Sequence, residues 1–293
     1  MTIKVKAPGA CGELVQGMIN GVDFLITCPV DWYSEVTVTD CILQPEPRPK
    51  AAMAVDKTLD FLNIAGNIRV AVVSDLPVGK GMASSSADIS AACQATALAV
   101  TGTRLSADEI ADIALSIEPT DGIFFPGIIM FDHIHGKIRR LLGNPPPMHI
   151  AIFDAGGQVD TQDFNCRADL AGLNRAKEPQ VAAAAQLVIQ GLTTGDAKLI
   201  GRGATMSALA NQTILYKSCL EQVINCSDSF GAVGVCVAHS GTVVGVMFSA
   251  DVMDGHANCI NEISRLCPEV AYLKTVRLIA GQLMITGDDG SER

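Results

Sequence analysis

Large rings are scarce in this chain: one tryptophan, three tyrosines and nine phenylalanines in 293 residues. Small aliphatic side chains must therefore fill the interior, and they are plentiful, since 48% of the residues are hydrophobic. Ala, Val, Ile and Gly dominate the apolar runs, which suits helices packed closely against a sheet. Long apolar runs are missing too. None approaches the roughly 20 residues that a membrane-spanning helix needs, and residues 1–8 hold no apolar segment of signal-peptide type. Basic clusters are also missing. The densest is Lys137, Arg139 and Arg140, and the net charge is −10, from 21 basic and 31 acidic residues. Such a chain is a poor partner for nucleic acid or an anionic membrane. Ten cysteines are present, but no two form a C-x-x-C pair. Most sit in apolar runs as small hydrophobes, so a reducing, cytoplasmic setting is expected.

The length suits two domains. Gly143-Asn144-Pro145-Pro146-Pro147 is the best candidate boundary, dividing the chain into 1–145 and 146–293. Strands are expected at 3–5, 24–28, 34–39, 68–73, 127–131, 148–154, 233–238, 243–248 and 275–280, the first ending at Ala7-Pro8-Gly9 with a polar turn after it, and a loop is expected at 44–50. Helices are expected at 51–62, 180–189, 197–209, 217–224 and 256–266, and the last residues, 287–293, should fray. The clearest helix carries Ile89, Ala92, Cys93, Ala97 and Val100 on one face. Ser84, Ser85 or Ser86 is its expected cap, Asp88 lies in its first turn, and Gly102 ends it. The next helix opens on Ser106 and Glu109, a capping box, and stops near Glu118, ahead of Pro119.

The stretch Pro77-Val78-Gly79-Lys80-Gly81-Met82-Ala83-Ser84-Ser85-Ser86-Ala87 follows an expected strand and opens that helix. Its glycines let the backbone approach a ligand closely. The first helical turn presents unpaired amides at the positive end of the helix dipole. Three serine hydroxyls add groups that bind phosphate oxygens or Mg2+. Together these make a site for a polyphosphate. The spacing fits neither a Walker A loop nor G-x-G-x-x-G. Read as local structure alone, the stretch is a glycine turn with serine capping.

The pattern Pro77-x-x-x-Gly81-Met82-x-Ser84-Ser85-Ser86-Ala87 resembles the central motif of the GHMP kinases. Ala7-Pro8-Gly9-Ala10-Cys11-Gly12-Glu13 resembles the N-terminal signature of that family, and Gly231-Ala232-Val233-Gly234-Val235-Cys236 its C-terminal glycine motif, with fewer glycines than most members. Residues 8–17, Cys28-Pro29-Val30-Asp31 and Glu118-Pro119-Thr120-Asp121-Gly122 resemble the members that phosphorylate L-threonine for the aminopropanol arm of cobalamin. The resemblance implies an α/β (α+β) fold of two domains, the first ribosomal-protein-S5-like and the second a ferredoxin-like α/β sandwich. It implies ATP and Mg2+ as cofactors and a small-molecule acceptor, with a homodimer as the one macromolecular assembly to consider.

The same resemblance places ATP on residues 77–87 and Mg2+ on Ser85 and Glu118. It makes Asp121 the candidate base. As local structure, Glu118 would be a surface carboxylate and Asp121 a turn cap. Mevalonate kinases carry a lysine directly after Ala-Pro-Gly; here that residue is Ala10, which leaves Lys80 as the candidate catalytic cation or an exposed loop lysine. An amino-acid acceptor needs partners for its ammonium and carboxylate. Glu13 suits the ammonium, with Gln16, Asp31 and Thr161 as further candidates and Asp121 beside the hydroxyl. Residues 154–161 could close over the cleft. His133, His135 and His239 read as turn residues. Homoserine or pantoate as acceptor, and a non-catalytic binding module, are the rival readings.

Overall fold

The two N-terminal strands are far longer than the short ones expected. Strand β1 (Lys4–Ile19) pairs antiparallel with β2 (Val22–Val38) along almost its whole length. The ladder shifts register between Pro8 and Gly9, between Ala10 and Glu13, and between Glu13 and Val15. The expected strand end at Ala7-Pro8-Gly9 and the turn after it are therefore a continuous bulged strand, with the bulges absorbing residues that regular pairing cannot accommodate. The computed structural model describes residues 3–38, 48–157, 164, 166–251 and 255–286. Most of the expected 44–50 loop and all of the 287–293 end lie outside the described residues.

Helix α1 (Pro49–Leu62) starts with proline in its first turn, where the missing amide costs nothing. Strand β3 (Val70–Ser74) lies on the free edge of β2. Helix α2 (Ser84–Thr101) ends at Gly102 as expected, but its start differs. The N-cap is Ala83, in the left-handed region at φ 55°, and no side chain caps the helix. Asp88 lies beyond the first turn and is buried; it accepts from the Ser34 hydroxyl (2.5 Å) and from Arg48 (3.1 Å). Nor does α2 bury one stripe: nearly every side chain from Ser84 to Ala97 is buried. A helix apolar all round belongs inside a core. Its many alanines let α1, α3 (Ala107–Leu115) and the β1–β2 ladder close on it. Helix α3 opens on the expected capping box, Ser106 with Glu109. Strands β4 (Ile128–Phe131) and β5 (Arg139–Gly143) form a hairpin. At its tip the Asp132 carboxylate accepts from the amides of Ile134, His135 and Lys137.

The remaining elements are β6 (Met148–Asp154), α4 (Leu170–Thr194), α5 (Ala197–Ala210), α6 (Leu220–Asp228), β7 (Gly234–Val237), β8 (Val243–Ser249), α7 (Gly255–Leu266), β9 (Ala271–Leu278) and β10 (Met284–Thr286). Strands β7, β8, β6 and β9 pair antiparallel in that order. This sheet meets the first half through two single-residue pairings, Glu13 with Val237 and Val30 with Leu278. The pairings thus run β1, β7, β8, β6, β9, β2 and back to β1. The last strand, β10, crosses back to pair with β1, so residues 284–286 join the N-terminal sheet.

Three large cores among the described residues follow from this layering, beside a small cluster of Phe164, Leu170 and Ile214. One lies between α1–α3 and the β1–β2 ladder, a second between α4–α5 and the sheet, and a third between α6–α7 and β6–β8. The second core draws on both halves of the chain, from Cys11 and Leu14 to Met247 and Val276. The C-terminal glycine motif serves packing here. A Cβ on Gly234 would lie 2.1 Å from the carbonyl oxygen of Gly201 in α5, so only glycine allows that approach. No helix among the described residues is long and apolar enough to cross a membrane.

Candidate active site

The glycine-rich loop before α2 is held from two sides by backbone hydrogen bonds. The Ala10 amide donates to Met82 O (3.0 Å) and the Gly12 amide to Gly81 O (3.1 Å). From the β7–β8 turn, the amides of Thr242 and Val243 donate to Lys80 O at 3.0 and 3.1 Å. Gly81 has φ +81°, and a Cβ there would lie 2.2 Å from Ala238 Cβ. The bulged strand β1 and the β7–β8 hairpin thus clamp a loop that only glycine can complete at this point. Beyond it, Ala83 turns the chain and the N-terminus of α2 opens onto a cavity of about 320 Å³. Amides of a first helical turn have no partner within the helix and favour negative charge.

Contacts across this cavity connect two sets of side chains. On the loop side, the Ser85 hydroxyl donates to the Glu118 carboxylate, whose second oxygen is held by the Lys50 ammonium of α1. Glu118 is 7% exposed, so it is no surface carboxylate. Next to it, Ser86 Oγ accepts from the Asp121 amide (3.0 Å) and donates to Asp121 Oδ2 (3.3 Å). Burial pushes the Asp121 carboxyl up to about 6; the nearby Glu118 charge adds to the shift and the Ser86 bond opposes it. Beyond Asp121, the Thr120 amide donates to His133 O (2.9 Å), and the His133 ring stands edge-on to His239 with centroids 5.1 Å apart. Glu13, Leu25, His133 and His239 line the same cavity. Burial raises the Glu13 carboxyl well above its ordinary range, and the Asp121 charge reinforces this. Glu13 Oε2 has no hydrogen-bond partner among the described residues. Burial also lowers His133 to about 4, against the pull of Asp132, and lowers His239 well below its ordinary value.

The fold therefore gathers Gly79, Gly81, Met82, Ala83, Ser84, Ser85, Ser86, Glu118, Asp121 and Glu13 around one cleft. Other anticipated residues stand elsewhere. Pro77 precedes the lining, and Ala87 is fully buried in the first core. Lys80 does not line the cavity; its ammonium lies 2.7 Å from Asp154 Oδ2 and 2.7 Å from Gly157 O. Gln16 is wholly buried behind His239, with Oε1 3.1 Å from His239 Nδ1. Asp31 pairs with Arg277 (2.7 Å) outside the cleft. Thr161 lies outside the described residues. Lys50 also lines the cavity although the sequence did not single it out, and so do His133 and His239, which were read only as turn residues. Both histidines are buried rather than turn-exposed, because the ends of β4 and β7 carry them inward. Their one sequence signal was a polar ring directly after an apolar strand.

The donor set around Ser85 and Glu118, a hydroxyl and a carboxylate, fits a hard divalent cation. Among the described residues no group of three or more His, Cys, Asp or Glu could hold a metal alone.

The family signature described as "GHMP kinases N terminal domain" matches residues 49–125, from α1 through the loop and α2 to just past Asp121. A protein of Salmonella typhimurium named L-threonine kinase is 36% identical over 276 residues, 93% of this chain and 89% of the relative. One of the same name from Citrobacter freundii is 32% identical over 253 residues, 85% and 87% of the two chains. Among solved structures, homoserine kinase from Cytophaga hutchinsonii shares the fold, with TM-score 0.69 at 16% identity, covering 97% of each chain. With a relative of this identity along most of its length, the chain belongs to the GHMP kinase family and is an ATP-dependent kinase acting on a hydroxyl group.

Proposed function

We propose that this enzyme transfers the γ-phosphoryl group of ATP to the hydroxyl of L-threonine, giving O-phospho-L-threonine. One observation carries the chemistry: the open N-terminus of α2 shares a cavity with the carboxylates of Glu118, Asp121 and Glu13. The curated relatives, both named L-threonine kinase, carry the choice of acceptor.

The α2 amides and the loop around Gly79 and Gly81 hold the polyphosphate. Ser85 and Glu118 hold Mg2+, which supplies charge neutralisation on the phosphates. Lys50, already on Glu118, adds a second positive charge to the loop side. The acceptor hydroxyl lies at Asp121. Its oxygen forms the new bond to the γ-phosphorus, the bond from that phosphorus to the bridging oxygen breaks, and ADP leaves with the electron pair. The hydroxyl proton passes to Asp121. Raised to about 6, this carboxyl is still ionised at neutral pH and is a stronger base than an ordinary aspartate. Ser86 positions it. Glu13, buried without a counter-charge, takes the acceptor's ammonium.

The test is ADP release from the purified enzyme with Mg-ATP and, in turn, L-threonine, L-serine, L-homoserine, pantoate and mevalonate. The expected result is the highest kcat/KM with L-threonine. Turnover of homoserine or pantoate alone would overturn the acceptor, and silence across the panel would overturn the whole reading.

A further inference from the structure

Behind His239 lies a buried polar group that the mechanism above does not use. Gln16 Nε2 donates to Val237 O (3.2 Å), so Gln16 Oε1 is an acceptor and His239 Nδ1 carries the proton facing it. Burial and the neighbouring positive charges disfavour a second proton on Nε2, so donors to any anion nearby must come from other residues. Two lysines supply them. Lys177 of α4 and Lys217, just before α6, are only 4% and 6% exposed. Both stand close enough to His239 for their charge to disfavour its protonation.

Lys217 Nζ has no hydrogen-bond partner among the described residues. Lys177 Nζ donates a single bond, to Asn211 Oδ1 (2.8 Å), which leaves Asn211 Nδ2 without an acceptor among the described residues. Asp23 is the carboxylate whose charge reaches Lys177, and its hydrogen bond comes instead from Asn174 (3.0 Å). Burial lowers both ammonium groups to about 8. A cluster of buried donors with so few acceptors is unfavourable unless an anion joins it.

We propose that Lys177, Lys217 and Asn211, which are buried beyond the cavity lining that His239 belongs to, form the subsite for the carboxylate of an α-amino-acid acceptor. This rests on the reading of the acceptor given above and deepens it. A zwitterion then meets opposite charges on its two ends, Glu13 at the ammonium and the lysines at the carboxylate. An acceptor lacking either group forfeits one of them.

The experiment compares L-threonine with 1-amino-2-propanol, which keeps the hydroxyl and ammonium but has no carboxylate. Lys217→Met and Lys177→Met are each assayed against the wild type. Loss of one charged hydrogen bond to the ligand should raise KM for L-threonine roughly 10- to 100-fold. KM for ATP and turnover of 1-amino-2-propanol should stay near wild type, so the preference for L-threonine collapses. Thermal unfolding adds a second readout. Removing the unpaired Lys217 charge should leave Tm of free Lys217→Met equal or higher, while in both variants the rise in Tm on adding L-threonine is lost and that on adding ATP is kept. Equal losses on both acceptors, an unchanged preference, or a lower Tm with preference intact would overturn the subsite. A wild-type enzyme silent on L-threonine would remove the acceptor reading and the subsite with it; an active wild type with unaffected variants removes the subsite alone.

Discussion

The two sides of the cleft are built in different ways. On the loop side, the ligand groups are mostly backbone: α2 amides and a glycine turn held by hydrogen bonds from β1 and from the β7–β8 turn. Beyond Asp121 the groups are side chains, Glu13, His133 and His239, brought from three strands far apart in sequence and buried together. A backbone site needs residues in one short run, with small side chains and a helix start. A side-chain site needs only that the fold converge, and no local pattern records that.

If Asp121 joins the two sides as the base, its loss should have the largest effect. Asp121→Asn should lower kcat by roughly 10²–10⁴-fold with little change in KM for ATP. Steady-state ADP release checks this. Glu118→Gln removes the loop side's one carboxylate and should cost about 10²-fold in kcat/KM for Mg-ATP. Raising the Mg2+ concentration should recover part of the loss, as a metal titration would show.

The loop side should also break through its backbone. Gly81→Ala puts a Cβ against Ala238 at a positive φ. A cost of about 1–3 kcal/mol is expected, read as a lower midpoint in urea unfolding. Lys80→Met should have the smallest effect, about threefold or less in kcat, because a partly exposed ion pair with Asp154 contributes little. A hundredfold loss there would bring Lys80 back into the chemistry and blur the distinction between the sides.

The same contrast explains what was legible in the sequence. Residues 77–86 could be read because turn, glycine and helix start occur in one run. Strand β6 and the β7–β8 hairpin were read nearly to the residue, since apolar runs bounded by turns specify them. The long reach of β1 was not, because its bulges break the alternation. Nor was the depth of α2, whose alanines look the same on an exposed face and between three packed elements. Lys50 and Lys80 show the limit for charges. Lys80 lies in the motif yet turns to Asp154, while Lys50 lies outside it and reaches Glu118 because α1 packs beside α2.

The pH dependence separates activity from stability at Asp121. Its carboxyl titrates near 6 in the folded protein against an ordinary value of 3.8. A raised pKa means the folded state holds that proton more tightly. Asp121's contribution to stability is thus fully present below about pH 4 and is lost as pH rises through about 6. Its capacity to accept a proton grows over the same window. The most direct measurement is therefore kcat against pH for wild type and Asp121→Asn with L-threonine and Mg-ATP. The wild-type rate should fall on the acid side with a midpoint near 6, and that limb should be absent from the residual activity of the variant. An identical acid limb in both, or a variant as fast as wild type, would contradict a base at the junction of the two sides.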